Sequence, residues 1–119
     1  MTSIKTVICI HGIWGQGLEM TLIKRRLEKE YGFQVLLFSY PSVRGTLDEN
    51  AEKLSDFIAE KRLDGAHLLG HSLGGVIALR MLANHPETVP GRVVCIGSPL
   101  TGSRAVAFLT TQNWAEPFI

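Results

Sequence analysis

One short segment of this sequence combines a residue type and a spacing that suit nucleophilic catalysis. Residues 70–75 read GHSLGG, which contains the pattern G-x-S-x-G centred on Ser72. In that pattern the serine occupies a strained turn between a strand and a helix, and the flanking glycines, Gly70 and Gly74, remove Cβ atoms that would collide with neighbouring backbone. The hydroxyl is then raised above the strand, and the amide of Leu73 points toward the same space. The pattern therefore predicts Ser72 as a nucleophile.

A second glycine-rich turn follows the first apolar run of the chain, where residues 11–17 read HGIWGQG. An oxyanion hole needs a second amide from a loop on the neighbouring strand, and Ile13 or Trp14 could supply it. We expect Gly12 to shape this turn and His11 to order it through hydrogen bonds rather than to transfer a proton. The Trp14 side chain would either line a pocket for an acyl group or pack within the loop.

Both turns are placed by an alternation of short apolar runs and helical patterns. The apolar runs are continuous, which is typical of parallel strands covered on both faces. The predicted strands cover residues 6–10, 34–39, 66–69 and 93–96, and helical patterns cover 18–31, a stretch beginning at the capping box 46–49, and 74–85. The order β-α-β-α-β-α-β predicts an α/β fold, a doubly wound and mostly parallel sheet with three main helices and right-handed crossovers. Ligands bind such sheets beyond the carboxyl ends of the strands, where both turns lie.

Binding of nucleotides or nucleic acids is disfavoured by the same residues. The first turn lacks the spacing G-x-G-x-x-G, and no acidic residue ends the second strand. A P-loop needs Lys and Ser or Thr after its last glycine, whereas Val76 follows Gly75. The formal net charge of +1 gives no electrostatic footprint for nucleic acid.

Length and composition favour one ordinary soluble domain. The chain has 119 residues, of which 45% are hydrophobic, and we expect a single domain over residues 1–119. No apolar run approaches the ~18 residues of a membrane-spanning helix, and the expected location is cytoplasmic. The two cysteines, Cys9 and Cys95, are too few for a disulfide scaffold and lie in no metal-like cluster, and we predict two free, buried thiols.

The chain resembles the α/β-hydrolase family, especially its small bacterial lipase- and esterase-like members. The resemblance is carried by residues 11–15, 40–41, 70–75 and 97–103. It covers essentially the whole chain but only the N-terminal portion of the family's fold, and it implies the strand order 2-1-3-4. It also implies Ser72 as the nucleophile, the amides of Ile13 and Leu73 as the oxyanion hole, and ester hydrolysis through an acyl-enzyme without a cofactor. The substrate would be a small-molecule or lipid ester.

The general base is the part of the mechanism that the sequence does not supply. In the family the triad order is Ser, then Asp or Glu, then His. After Ser72 the only histidine is His85, which a helix of 11 to 13 residues would place roughly 15–20 Å from the nucleophile. We expect neither His67 nor His71 to act as the base. The triad acid and histidine are therefore expected outside this chain, which alone would be inactive.

Three explanations for the missing base stay open at the level of sequence. The chain is truncated or proteolysed, the remainder comes from another chain, or a natural short protein binds rather than catalyses. The intact nucleophile and oxyanion turns favour truncation. The alternative function is a non-catalytic, hydrolase-like module, because the predicted fourth strand, Val93–Ile96, would be an exposed apolar edge that pairs with a second copy or a partner.

Overall fold

The described part of the chain forms a parallel sheet of four strands flanked by three helices. A computed structural model describes residues 5–12, 18–41 and 44–97. The elements are β1 (Thr6–Ile10), α1 (Leu18–Tyr31), β2 (Gln34–Phe38), α2 (Leu47–Lys61), β3 (His67–His71), α3 (Leu73–Asn84) and β4 (Val93–Ile96). The strand order is β2-β1-β3-β4, and every pair is parallel. The predicted fold class and strand order are thus confirmed.

Local signals account for where the helices begin and end. At the start of α2 the Thr46 hydroxyl accepts from the Glu49 N–H at 3.0 Å, while the Glu49 carboxylate accepts from the Thr46 N–H at 2.7 Å, which is the predicted capping box. Helix α1 stops before Gly32, whose φ of +72° favours glycine. Helix α3 ends at Asn84, just before Pro86. Within the ranges that the structure describes, no helix is long and apolar enough to span a membrane.

Strand β3 extends two residues further than the sequence pattern predicts. It ends at His71 rather than Leu69, because strands on both sides continue to pair with it. Gly70 lies opposite Ile10 of β1 and Cys95 of β4, and His71 lies opposite Ile96. A glycine and a histidine give little strand signal in the sequence, so the ladder of the whole sheet sets this boundary. As a result the strand runs directly into the turn at Ser72.

The two faces of the sheet are covered unequally. Helices α2 and α3 pack over one face, and the larger apolar cluster lies there, with Ile8, Leu68, Leu54, Ile77 and Met81 almost completely buried. Of the described helices, only α1 packs on the other face, where the buried cluster is smaller. This arrangement follows from right-handed crossovers, since the chain moves one way from β1 to β2 and the other way from β2 to β3 and β4.

An apolar groove of about 340 Å³ lies on the face that α1 covers only partly. Strand β4 forms its outer wall, with Val94 and Ile96 exposed at 38% and 39%. The opposite wall comes from α1 through Ile23 and Leu27. The expectation of uncovered apolar sheet beside the fourth strand is therefore confirmed for the described residues.

The two cysteines are free thiols on opposite faces of the sheet. Cys9 on β1 is buried with the α1 cluster, and burial raises the pKa of its thiol to about 11. Cys95 on β4 packs against the other cluster and is only half-buried. The prediction of a buried thiol is therefore wrong for Cys95, because within the described part of the chain β4 has a neighbouring strand on one side only.

Candidate active site

The turn between β3 and α3 holds Ser72 in a backbone conformation that L-residues rarely adopt. Its φ and ψ are +56° and −123°, and Arg62 is the only other non-glycine residue with positive φ in the described part. The Ser72 N–H donates to the Ile96 carbonyl at 2.9 Å, and its own carbonyl accepts from the Gly75 N–H at 3.1 Å. These bonds fix the turn from the sheet on one side and from the helix on the other. A non-glycine residue in such a conformation costs about 1–3 kcal/mol and is typical of functional turns.

The glycines on either side of Ser72 allow close contact between backbones. A Cβ atom added at Gly70 would collide with the backbone of Gly75, and one added at Gly74 would collide with the Ile10 carbonyl and lie 2.6 Å from the His11 carbonyl oxygen. Both positions therefore exclude a side chain. This crowding is the physical reason for the glycine spacing in residues 70–74.

The turn after β1 meets the turn after β3 at Gly12. A Cβ atom at Gly12 would lie 2.8 Å from the Ser72 Cβ and 3.0 Å from the His71 carbonyl oxygen. The two glycine-rich turns are thus in direct contact at the carboxyl edge of the sheet, where β1 and β3 are neighbours. Ile13 and Trp14, the other predicted site residues of this turn, lie outside the described residues.

The N-terminus of α3 provides an electropositive end beside Ser72. Leu73 opens the helix, so its amide is among the first N–H groups that no helical carbonyl accepts. The Ser72 side chain makes no capping hydrogen bond, and the first turn of α3 contains no acidic residue. The helix macrodipole therefore favours a negative charge that develops next to the Ser72 hydroxyl.

His11 is a buried residue with both ring nitrogens in hydrogen bonds. It is 3% exposed, its Nδ1 lies 2.7 Å from the Gly12 carbonyl oxygen, and its Nε2 lies 3.3 Å from the backbone nitrogen of Tyr40. The imidazole thus holds the turn after β1 in place. The wider role of His11 in ordering the loop stays a prediction.

The other three histidines lie on β3 or at the end of α3. His67 starts β3, at the opposite edge of the sheet, and its Nδ1 accepts from the Arg92 N–H at 2.8 Å. His85 follows the last residue of α3, a helix of 12 residues that begins beside Ser72, so the two are separated by roughly 18 Å. His71 lies on β3 opposite Ile96, and strand alternation places it on the α1 face together with Leu69.

Tyr40 is a site-forming residue whose role sequence reasoning missed. Its ring stacks on the His11 ring, with centroids 4.2 Å apart and an interplanar angle of 6°, and its hydroxyl donates to the His11 carbonyl at 2.7 Å. In the sequence, the pair Tyr40-Pro41 stands out only through its likeness to the hydrolase loops. A signal was present, since an aromatic residue just after β2 and a histidine just after β1 reach the same edge of neighbouring parallel strands.

The fold and this convergence of two glycine-rich turns on one serine define an α/β hydrolase. The chain belongs to the α/β-hydrolase family, because the model of that family matches residues 7–118. The described part is a fragment of the fold.

Particular relatives are hydrolases of several kinds. The chain is 40% identical over 53 residues to a putative carbamate hydrolase, RutD, of Yersinia enterocolitica, which covers 44% of this chain and 19% of that protein. It is 30% identical over 100 residues to the pimeloyl-[acyl-carrier protein] methyl ester esterase of Salmonella heidelberg, and the match covers 82% of this chain and 39% of that protein. The crystal structure of Paleococcus ferrophilus monoacylglycerol lipase superposes with a TM-score of 0.65 at 25% identity, covering 98% of this chain and 49% of that one. The chain therefore spans well under half of the length of these two curated relatives.

Proposed function

We propose that this chain is the nucleophile-bearing portion of a serine hydrolase that cleaves carboxylic esters through an acyl-enzyme on Ser72. The observation that carries the proposal is the positive φ of Ser72 in a turn that Gly70 and Gly74 make sterically possible and that Gly12 touches directly. A fold that retains such a conformation at a serine, beside an uncapped helix N-terminus, supports a role for the hydroxyl rather than for packing.

The chemistry follows from what surrounds the hydroxyl. The Ser72 oxygen attacks the ester carbonyl while a general base takes its proton, and a tetrahedral intermediate forms. The Leu73 amide and the amide predicted at Ile13 donate to its oxyanion, and loss of one such donor typically slows the reaction by ~10²–10³-fold. The intermediate then expels the alcohol, which receives the proton from the base. Water hydrolyses the acyl-serine by the same steps and releases the acid.

The base and its acid partner are proposed to come from polypeptide outside this sequence. All four histidines lie in the described part, and their contacts give three of them other functions: His11 holds a turn, His67 accepts from a backbone amide, and His85 lies at the far end of α3. The longer relatives of the same family support this view, since the chain matches only 19 to 39% of their lengths. The chain alone would therefore turn over slowly or not at all.

An ester is the substrate class that the relatives favour. Two of them are named for a methyl ester and for a monoacylglycerol, and both linkages are carboxylic esters. We propose that the substrate of this protein is likewise a carboxylic ester, either of a small molecule or of a lipid. The carbamate hydrolase among the relatives marks the nearest other linkage that the same serine chemistry would cleave.

A fluorophosphonate probe tests the proposal on the chain as it is, with imidazole in solution replacing the absent base. Intact-mass spectra are recorded for the wild type and for Ser72→Ala, and the modified peptide is mapped. We expect one adduct on Ser72, formed faster as imidazole is added, and none in the variant.

Two results would contradict parts of this proposal. If the folded wild type takes up no probe at any imidazole concentration, or if Ser72→Ala takes it up equally, Ser72 is not an activated nucleophile. If Ser72 reacts with the probe as fast without imidazole as with it, the general base belongs to this chain. The proposal that the base comes from polypeptide outside this sequence is then wrong.

A second candidate function is a non-catalytic module that pairs through β4. The exposed side chains of Val94 and Ile96 favour it, because an apolar edge strand offers unpaired backbone groups to a second copy or a partner. Sedimentation of the wild type, Val94→Lys and Ser72→Ala separates the two. A wild-type dimer that Val94→Lys dissociates supports pairing through β4. A wild type that stays monomeric at ~100 µM, well above the dissociation constant of a typical specific dimer, excludes self-pairing.

A further inference from the structure

The contacts between His11 and Tyr40 assign a donor or acceptor role to each ring nitrogen of His11. The Tyr40 backbone N–H can only donate, so the His11 Nε2 that it meets at 3.3 Å is an acceptor without a proton. The His11 Nδ1 faces the Gly12 carbonyl oxygen at 2.7 Å and must therefore carry a proton to donate. His11 is thus neutral and protonated on Nδ1.

The Tyr40 hydroxyl completes the assignment. It lies 2.7 Å from the His11 carbonyl oxygen, which can only accept, so the phenol donates. Tyr40 is 7% exposed, and burial raises the pKa of its phenol to about 12, which keeps this donor protonated. Ring, backbone nitrogen and hydroxyl of one residue therefore all engage His11.

These bonds act on the turn that touches Ser72. The His11 imidazole holds the Gly12 carbonyl at 2.7 Å. Gly12 itself packs against Ser72 closely enough that a Cβ there would lie 2.8 Å from the Ser72 Cβ.

We infer that Tyr40 is a positioning residue for Gly12, which packs against Ser72. Tyr40 acts by holding His11 in its Nδ1-protonated form and by anchoring the His11 carbonyl. The inference rests on the proposed function of Ser72. Tyr40 touches neither substrate nor the reacting atoms in this role. It lies 29 residues from His11 in the chain, and the β1–β2 pairing brings the two together.

The test uses the full chain with Tyr40→Phe, which keeps the ring and the backbone N–H and removes only the hydroxyl. The matched control is Tyr31→Phe, since Tyr31 is 66% exposed. With imidazole present and well below the melting temperature, Tyr40→Phe should react with fluorophosphonate at Ser72 roughly fivefold more slowly, as expected for one lost hydrogen bond of ~1 kcal/mol. Tyr31→Phe should react like the wild type.

Nuclear magnetic resonance gives a readout that does not depend on reactivity. Long-range proton–nitrogen spectra should show His11 protonated on Nδ1 at neutral pH. The backbone amide signals of Gly12 and Ser72 should shift in Tyr40→Phe and not in Tyr31→Phe.

Different failures have different meanings in this pair of measurements. If His11 carries its proton on Nε2 or is charged, or if the Gly12 and Ser72 signals stay unchanged in Tyr40→Phe, the positioning role is overturned. Wild-type reactivity of folded Tyr40→Phe overturns it as well. If the wild type itself takes up no probe while the tautomer and signal shifts are as expected, the proposed function fails and Tyr40 still positions the turn.

Discussion

At the scale of single residues, the free energy stored in the Ser72 backbone is the feature that separates a functional turn from an ordinary one. The strand ladder on β4 and the first hydrogen bond of α3 hold the residue at positive φ from both sides. Any side chain with a Cβ is strained at this φ, so the strain is independent of the hydroxyl. The hydroxyl adds no capping bond in return.

Replacing Ser72 by glycine should therefore stabilise the chain relative to replacing it by alanine. Glycine relieves ~1–3 kcal/mol of strain and loses ~0.5–1 kcal/mol through its greater freedom in the unfolded state. We expect Ser72→Gly to exceed Ser72→Ala by about 1 kcal/mol in the free energy of unfolding, measured with urea. Equal stability of the two variants would show that the turn is not strained.

At the scale of elements, polar contacts on the outer surface bind α2 to α3. The Asp48 carboxylate near the start of α2 accepts from Arg80 at 2.7 Å and from Asn84 at 3.0 Å. These contacts lower the pKa of Asp48, with the hydrogen bond from Arg80 as the largest cause. Further along α2, the Glu52 carboxylate lies 3.1 Å from the Nε2 of His85. The Nδ1 of the same imidazole lies 3.1 Å from the Glu87 carboxylate. Only a protonated imidazole donates to two carboxylates at once.

The His85 contacts predict a stability that falls as the pH rises above 6.5. The hydrogen bond to Glu87, followed by that to Glu52, raises the pKa of His85 above its ordinary value of 6.5. The stabilisation is complete below pH 6.5 and is lost as the pH rises through the higher folded pKa. The difference in unfolding free energy between about pH 6 and pH 9 should shrink in His85→Gln and also in Glu52→Gln. An unchanged difference in His85→Gln would mean that the imidazole is not held in its charged form.

Elements were more readable from the sequence than the contacts between them. The Thr46–Glu49 capping box and the glycine spacing around Ser72 each involve only a few adjacent residues, so the sequence predicts them directly. The end of β3 at His71 and the stacking of Tyr40 on His11 depend on pairing between distant strands. Such contacts are set by the register of the paired strands, which the sequence alone does not specify. This is why sequence analysis missed the role of Tyr40.

At the scale of the whole molecule, the central strands of the sheet are better protected than the β4 side. Among the described strands, β1 and β3 each have two neighbours, whereas β4 pairs with β3 alone. The apolar groove beside β4 leaves one face of that strand exposed as well. Stability should therefore decrease from the centre of the sheet toward β4.

Native-state hydrogen exchange measures this gradient directly. The amides of β1 and β3 that pair within the sheet should exchange most slowly, and those of β4 should exchange faster because local opening breaks a single ladder. Protection of β4 equal to that of β1 would indicate an occupied edge and would favour the pairing function over catalysis by a longer hydrolase.

The central claim is an acyl-enzyme on Ser72, and trapping that intermediate tests it most directly. The chain is mixed with an activated ester such as p-nitrophenyl butyrate and excess imidazole, quenched in acid and measured by intact mass and peptide mapping. We predict a single acyl group on Ser72 that is absent from Ser72→Ala. An acyl group on another residue, or no acylated protein from a folded chain, would contradict the claim.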